Sequence, residues 1–455
     1  MGLKELLSVP DGVRHAAAVI AGLDRCFVVG FGRLGPEQAQ SLQVLARLCS
    51  GTPLKDAVGA AVEALTRNEF VECHFAALAA ARAALQGAQY DALRKHAAEA
   101  LGRTPSGESA DEPAVAPPEP VKVWQESTRH WLMEIAIAGF GQLEPQTLAP
   151  FAATLEQLQA EPLTTRLAAL LTGFRQELLN AMPIAALPAL PAFRWADLWT
   201  RAMIAALRPP APAAGKKVSG TLSPLGIDLR HHGYFVSADV YGVLDGSEPR
   251  LVRVTLSSYK VDVVRGSEMW QCFGKPAEPL LKAVADLQGL AVNDATLLPT
   301  GDLLMDGKVK VKGADASLDA ARKWLAPGAA PALPSVAALD RHPVQIAEPI
   351  LLEGYKPNKE GTALDLGDGV SLRVATERIS GTSELQAEHV AGSTMLLGLL
   401  RFDGGAWAVQ PLAVAGPKGS IFTGMGAAEP PKTGKKKPTL VILKERASRL
   451  LRKKA

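Results

Sequence analysis

Up to Leu207 the apolar positions recur at three and four residues, as at Leu42, Leu45 and Leu48 or at Leu155 and Leu158, which is the spacing of one helix face. Past Gly220 the spacing drops to two. Tyr234 to Leu244 and Leu251 to Val264 alternate β-branched or aromatic residues with polar ones around Asp245-Gly246, and this predicts a hairpin. Further hairpins are predicted at Asp368-Gly369, between Ala363-Leu366 and Val370-Ala375, and at Asp403-Gly404-Gly405, between Leu396-Phe402 and Trp407-Val414. Helical spacing returns at Pro279 to Leu290 and Ser317 to Leu325.

The helical half repeats itself. Gly30-Phe31-Gly32-Arg33-Leu34-Gly35-Pro36 aligns with Gly139-Phe140-Gly141-Gln142-Leu143-Glu144-Pro145 at an offset of 109, and Pro53-Leu54 aligns with Pro162-Leu163 at the same offset. Each copy is expected to be a small helical bundle. In it the glycine ends one helix at positive φ, and the proline starts the next, where its missing N–H costs nothing.

Two Pro-rich stretches read as linkers, since neither can bury enough apolar surface to offset the ordering of its backbone. The expected fold is therefore multidomain α+β, with a duplicated all-α N-terminal half and a β-rich C-terminal half of antiparallel hairpins and a few helices. Its units are helical repeats at 1–102 and 122–207, linkers at 103–121 and 208–220, β-rich lobes at 221–326 and 335–426, and a basic tail helix at 432–455.

Composition changes this picture in four places. The chain has 455 residues, 47% of them hydrophobic and 21% charged, enough for about two to four ordinary folded domains. It has no apolar run long enough to span a bilayer, and Met1 to Pro10 lacks the order of a signal peptide, so a cytoplasmic location is expected. Cys26, Cys49, Cys73 and Cys272 form no CxxC, so reduced and mostly buried thiols are expected in place of disulfides or a zinc knuckle. The net charge of +3 conceals an asymmetry, because residues 432–455 hold ten Lys or Arg and one Glu.

Chemistry is sparse. Gly30 to Gly35 fits G-x-G-x-x-G, the backbone cradle of dinucleotide pyrophosphates, but the strand after the helix is missing and Glu144 stands at the third glycine of the copy, where it would repel phosphate. An interhelical turn is the expected structure, and an NAD-linked enzyme the lesser alternative. Arg230-His231-His232, near Asp228 and Asp239, could orient an anion, but adjacent strand residues face opposite ways, so the two imidazoles do not share a metal. Cys73-His74 reads as a buried thiol beside a partly exposed imidazole, and His130, His342 and His389 stand alone. No catalytic residue, cofactor or metal set is expected.

The tail carries more. From Thr439, Leu440, Leu443, Ala447 and Leu450 share a helical face. The basic residues Lys435, Lys436, Lys437, Lys444, Arg446, Arg449, Arg452, Lys453 and Lys454 could meet phosphates, an anionic membrane surface or an acidic groove on a partner, or stay solvated. The tail contains no aromatic ring on which bases could stack.

Leu225 to His232, Ser237 to Leu244, Val252 to Val254 and Tyr259 to Asp262 together resemble bacterial proteins associated with systems that pair a MoxR-type AAA+ ATPase, a von Willebrand factor A protein and a SWIM zinc-finger protein. Neither a P-loop nor a SWIM cysteine–histidine pattern is present, so the resemblance implies an accessory member with an AAA+ ATPase or von Willebrand factor A partner. The expected function is a non-catalytic adaptor or scaffold, the alternative a nucleic-acid-binding protein acting through its tail.

Overall fold

The structure is a computed structural model that describes residues 3–104, 117–207, 214–233, 235–305, 309–311, 317–381, 383–417 and 419–425. The basic tail at 432–455, with all nine of its candidate binding residues, lies outside the described residues.

The first part of the chain is helical: α1 (Leu3–Leu6), α2 (Val13–Val29), α3 (Pro36–Leu48), α4 (Lys55–Thr66), α5 (Glu72–Ala100), α6 (Glu119–Ala138), α7 (Pro145–Leu148), α8 (Ala152–Ala160), α9 (Thr165–Asn180) and α10 (Ala192–Leu207). The sequence suggested two bundles, whereas α2 to α10 share one core. Phe27, Phe31 and Phe75 from the first unit pack with Trp131, Phe140, Phe174, Trp195 and Trp199 from the second, and the rings of Phe27 and Phe140 stack 5.7 Å apart. The linkers are also shorter than composition suggested. Arg103 is buried, α6 already begins at Glu119, and the first strand begins at Lys216.

At 29 residues, α5 is about 43 Å long and serves two cores. Its first half gives Phe75, Leu78 and Ala79 to the helical core, and its second half gives Tyr90, Leu93 and Ala97 to the β-rich region. A helix buried on different sides along its length shows no single amphipathic face, which is why its sequence is rich in alanine all round.

The first sheet contains β1 (Lys216–His232), β2 (Phe235–Asp245), β3 (Arg250–Tyr259), β4 (Leu290–Leu297), β5 (Leu303–Leu304) and β6 (Val309–Val311), in the order β3-β2-β1-β4-β5 with β6 also on β4. A parallel bridge from Arg253 to Asp302 returns β5 to β3 and curls the sheet toward a barrel. Inside it, Ala238, Val240 and Leu244 meet Leu280, Leu281 and Val284 of α11 (Glu278–Ala285), a helix that ends five residues short of the expected Leu290, which opens β4.

The second sheet contains β7 (Glu348–Glu353), β8 (Lys356–Pro357), β9 (Ala363–Asp365), β10 (Ser371–Val374), β11 (Met395–Asp403), β12 (Ala406–Ala415) and β13 (Ile421–Thr423), in the order β7-β11-β12-β10-β9-β8 with β13 on β12. β11 and β12 pair antiparallel through the two-residue turn Gly404-Gly405, both at positive φ, which the tight turn between right-twisted strands requires. The β10–β12 pair is parallel, so the sheet is mixed.

β11 is apolar on both faces because both are covered. Leu396, Leu400 and Phe402 face the core shared with α5, and Met395, Leu397 and Leu399 face the barrel wall at Leu225, Tyr241, Val243 and Leu251. α12 (Ser317–Trp324), at the segment predicted to be helical, adds Leu318 and Ala321 to this junction. β1 and β12 approach closely at Gly226, where a Cβ would stand 2.5 Å from Leu412 Cβ.

Candidate functional site

The glycine motif is an interhelical bend. The dinucleotide fingerprint needs a strand before its first glycine; here that stretch is α2, and Gly30 at φ 95° ends it, its N–H donating to Cys26 O. Gly139, at φ 86°, ends α6 in the same way. The two bends lie against each other. A Cβ on Gly30 would come 2.6 Å from Ala138 O, and one on Gly139 would come 2.5 Å from Gly30 N. The space a pyrophosphate would need against Gly30 is filled by the other helix end, and Arg33 donates to Ala138 O across the joint.

The Arg230 segment leads to a charged network buried between the two sheets. Asp228 and Asp239 are register partners on β1 and β2. Arg230 pairs with Asp239 and stands 3.7 Å from Asp228, while Thr255 donates to Asp239 Oδ1 at 2.7 Å. From the second sheet Arg401 donates to Asp228 Oδ2 at 2.7 Å, to Gln410 Oε1 at 2.9 Å and to Ile346 O at 3.1 Å, and Gln410 donates to Asp228 Oδ1 at 2.8 Å. Burial would push the Asp228 carboxyl up, but Arg401, then Arg230 and the Gln410 hydrogen bond, hold it below the usual carboxylate range. His231 is exposed and points away from this network.

Two more buried pairs fix the units together. Fully buried Arg82 of α5 donates to both carboxylate oxygens of Asp24 on α2, at 2.8 and 3.1 Å, and to Asp197 of α10 at 3.4 Å. Arg103, just beyond α5, pairs with Glu348 at the start of β7, 245 residues on. Arg253 clamps Asp302 with two hydrogen bonds of 2.7 and 2.9 Å, closing the barrel seam. Between α5, Arg253 and the segment from Leu333 to Glu348 lies a cavity of about 20 Å³, room for roughly one water.

Sequence reasoning missed Arg82, Arg401 and Asp24. The signal available was a lone charge inside an otherwise apolar run, as Arg82 among alanines and Arg401 in Met395 to Phe402. Cys73 corrects an expectation: it is exposed and His74 only partly so, because the first turn of α5 precedes the point, Phe75, where that helix enters the core. His130 is exposed beside Glu134, and His389 stacks on Phe422 at 3.8 Å. Among the described residues no group of His, Cys, Asp and Glu is arranged to hold a metal ion, and no helix is long and apolar enough to cross a membrane. Comparison with family models, with curated proteins and with solved structures returns no match for this chain.

His342 is buried, its Nδ1 accepting from Val344 N at 3.0 Å with Phe193 edge-on to its ring. Burial pushes its pKa down to about 4 from 6.5. The unfolded chain therefore binds the proton more readily than the folded one, so this stabilisation is complete above about pH 6.5 and is lost as pH falls toward 4, amounting to roughly 3 kcal/mol. Asparagine can still accept from Val344 N but does not titrate. Urea unfolding of His342→Asn should lose less stability between pH 7 and pH 4.5 than the parent, and equal losses in the two proteins would rule out this account.

Proposed function

We propose that the chain is a non-catalytic adaptor, a stiff frame that presents surfaces to macromolecular partners, and that its two helical units are copies of one ancestral unit. The observation that carries this reading is the use made of its buried charge. Each of the buried charges Asp24, Asp228, Asp239, Arg82, Arg103 and Arg401 is paired with an opposite charge of the protein, and Arg82–Asp197, Arg103–Glu348 and Arg401–Asp228 do so across the joints between units. In enzyme sites, buried charges with perturbed protonation converge on a cleft open to substrate. Here they hold α2, α5, α10 and the two sheets in a fixed relation. The reciprocal contact of Gly30 and Gly139 supports the duplication, since equivalent surfaces meet as in a two-fold pair.

The helical region offers a partner surface at the mouth of α5 and α6. There Arg129 ties Glu72 to Ala206 O, and exposed Val71 lines an open groove with Cys73, Glu126 and His130, while Val123 of α6 and Leu207 at the end of α10 are also exposed. A MoxR-type AAA+ ATPase or a von Willebrand factor A protein is the partner that the sequence resemblance implies. Mixing the purified chain with each at micromolar concentration and measuring mass by light scattering should give a complex with one of them. Val71→Glu with Val123→Glu should abolish it without changing the melting temperature. Failure of both proteins to associate would overturn the reading.

A further inference from the structure

We propose that the segment 338–345 is a proton-operated clasp, which fastens the second sheet to the helical region while His342 is neutral and opens when that imidazole takes a proton. This concerns a joint within the chain and stands on other residues than the adaptor reading. The first observation is what the segment holds. It consists of two short turns, Ala338–Asp340 and Pro343–Gln345, just before β7. Its side chains reach three helices. Asp340 accepts from Arg166 of α9 at 2.5 Å and from Arg201 of α10 at 3.2 Å, and Arg341 donates to Asp91 of α5 at 3.3 Å. Leu339 packs against the helical core, and buried His342 meets the Phe193 ring of α10 at 5.3 Å. From the other side, Arg401 of β11 donates to Ile346 O at the end of the segment. The backbone bonds inside it are local, Arg341 N to Ala338 O and Gln345 N to His342 O, so it can open without unravelling a helix or a strand.

The second observation is the balance of charge around it. A chain of alternating ion pairs runs Asp24–Arg82–Asp197–Arg201–Asp340–Arg166, so every acid in it already has its arginine. A positive charge added beside this chain finds no carboxylate to spare. The charged groups that face His342 are Asp197 and Arg201 of α10, Arg82 of α5 and Asp403 at the end of β11. Two of them invite a proton and two repel it. On its own segment Asp340 is committed to Arg166 and Arg201, and Arg341 to Asp91. Burial therefore decides, and it keeps the imidazole neutral.

The third is the hydrogen bond that the ring makes. Val344 N–H donates to His342 Nδ1 at 3.0 Å, which requires a bare nitrogen at that position. An imidazolium carries a proton on both nitrogens, so protonation sets a donor against a donor. The bond spans the turn Pro343–Gln345, and a ring that swings out to water takes this turn with it.

Hydrogen exchange read by mass spectrometry on the full chain, with exposure times scaled to the intrinsic exchange rate at each pH, tests the proposal. The folded value is about 4 and the free one 6.5, so acid favours the open form, and opening should rise about fifty-fold between pH 7 and pH 4.5. Peptides that span 337–346 should lose protection by that factor while those from β11 and α5 keep theirs. Between pH 6 and pH 5 the change should be about seven-fold, the slope that one proton gives. His342→Asn keeps an acceptor for Val344 N and does not titrate, so its protection should be the same at both ends of the range. His342→Gln is the second such variant, for use if asparagine unsettles the turn. Three results would overturn the proposal: protection of 337–346 that ignores pH, a loss shared equally by β11 and α5, or the same loss in the variants as in the parent.

Discussion

Gly139→Ala should be among the most damaging single-atom changes in the helical region, lowering its stability by about 3 to 5 kcal/mol. Two costs combine. The φ of 86° is one that an L side chain adopts only with strain, and the added Cβ would stand 2.5 Å from Gly30 N and 2.6 Å from Val29 C. Those are backbone atoms at a helix end, so they cannot move aside as a flexible side chain would. Gly30→Ala meets the same obstacle from the other side, against Ala138. Because both variants force apart one joint, the double variant should cost less than the two single costs added together. Gly35→Ala is the control: φ there is −91° and the nearest atom is the mobile Gln38 Oε1 at 3.0 Å, so the loss should stay below about 1 kcal/mol. Urea unfolding followed by helical circular dichroism measures all four. Equal, small losses at Gly30, Gly139 and Gly35 would mean that the bends are not in contact.

What was legible beforehand follows how local each cause is. Helix periodicity up to Leu207 and alternation past Gly220 reflect which face of a single element is buried, and both halves have the expected character. The bends at Gly30 and Gly139 were legible because positive φ is a demand a residue makes of its own backbone. That they touch was not, since an offset of 109 shows likeness and says nothing about contact. The same limit explains the linkers. Arg103 sits in a Pro-rich stretch, yet it is held by Glu348 of the second sheet, and only the fold brings the two together. Likewise Arg230, Asp228 and Asp239 could be grouped as sequence neighbours on paired strands, whereas Arg401 and Gln410, which complete the network from 173 and 182 residues away, could not. Alternation did contain a hint: in β11 the odd positions face the barrel, and Arg401 is an odd position in a run that is otherwise apolar.

That placement makes Arg401→Met the second large effect, about 3 to 5 kcal/mol, because methionine matches much of the volume and none of the charge. Its loss leaves Asp228 buried with only Gln410 and the 3.7 Å contact to Arg230, and leaves the Ile346 carbonyl and Gln410 Oε1 without the guanidinium that served them. Arg401→Lys should fall between parent and Met, since a single ammonium cannot reproduce donation to three acceptors in different directions. Adding Asp228→Leu to Arg401→Met removes the stranded charge and should recover part of the loss, giving a favourable coupling between the two positions. The pH dependence has a definite sign. Arg401 holds the Asp228 carboxyl down, so the stability it confers is complete above the ordinary carboxylate value of 3.8 and disappears as pH falls through the lower folded value. Parent and Arg401→Met should therefore differ most near neutrality and converge in acid. If the gap between them stays constant from pH 7 to pH 3, the arginine acts through packing alone, and the two sheets are joined by their apolar contact at Leu397, Leu412 and Tyr241 without help from the ion pair.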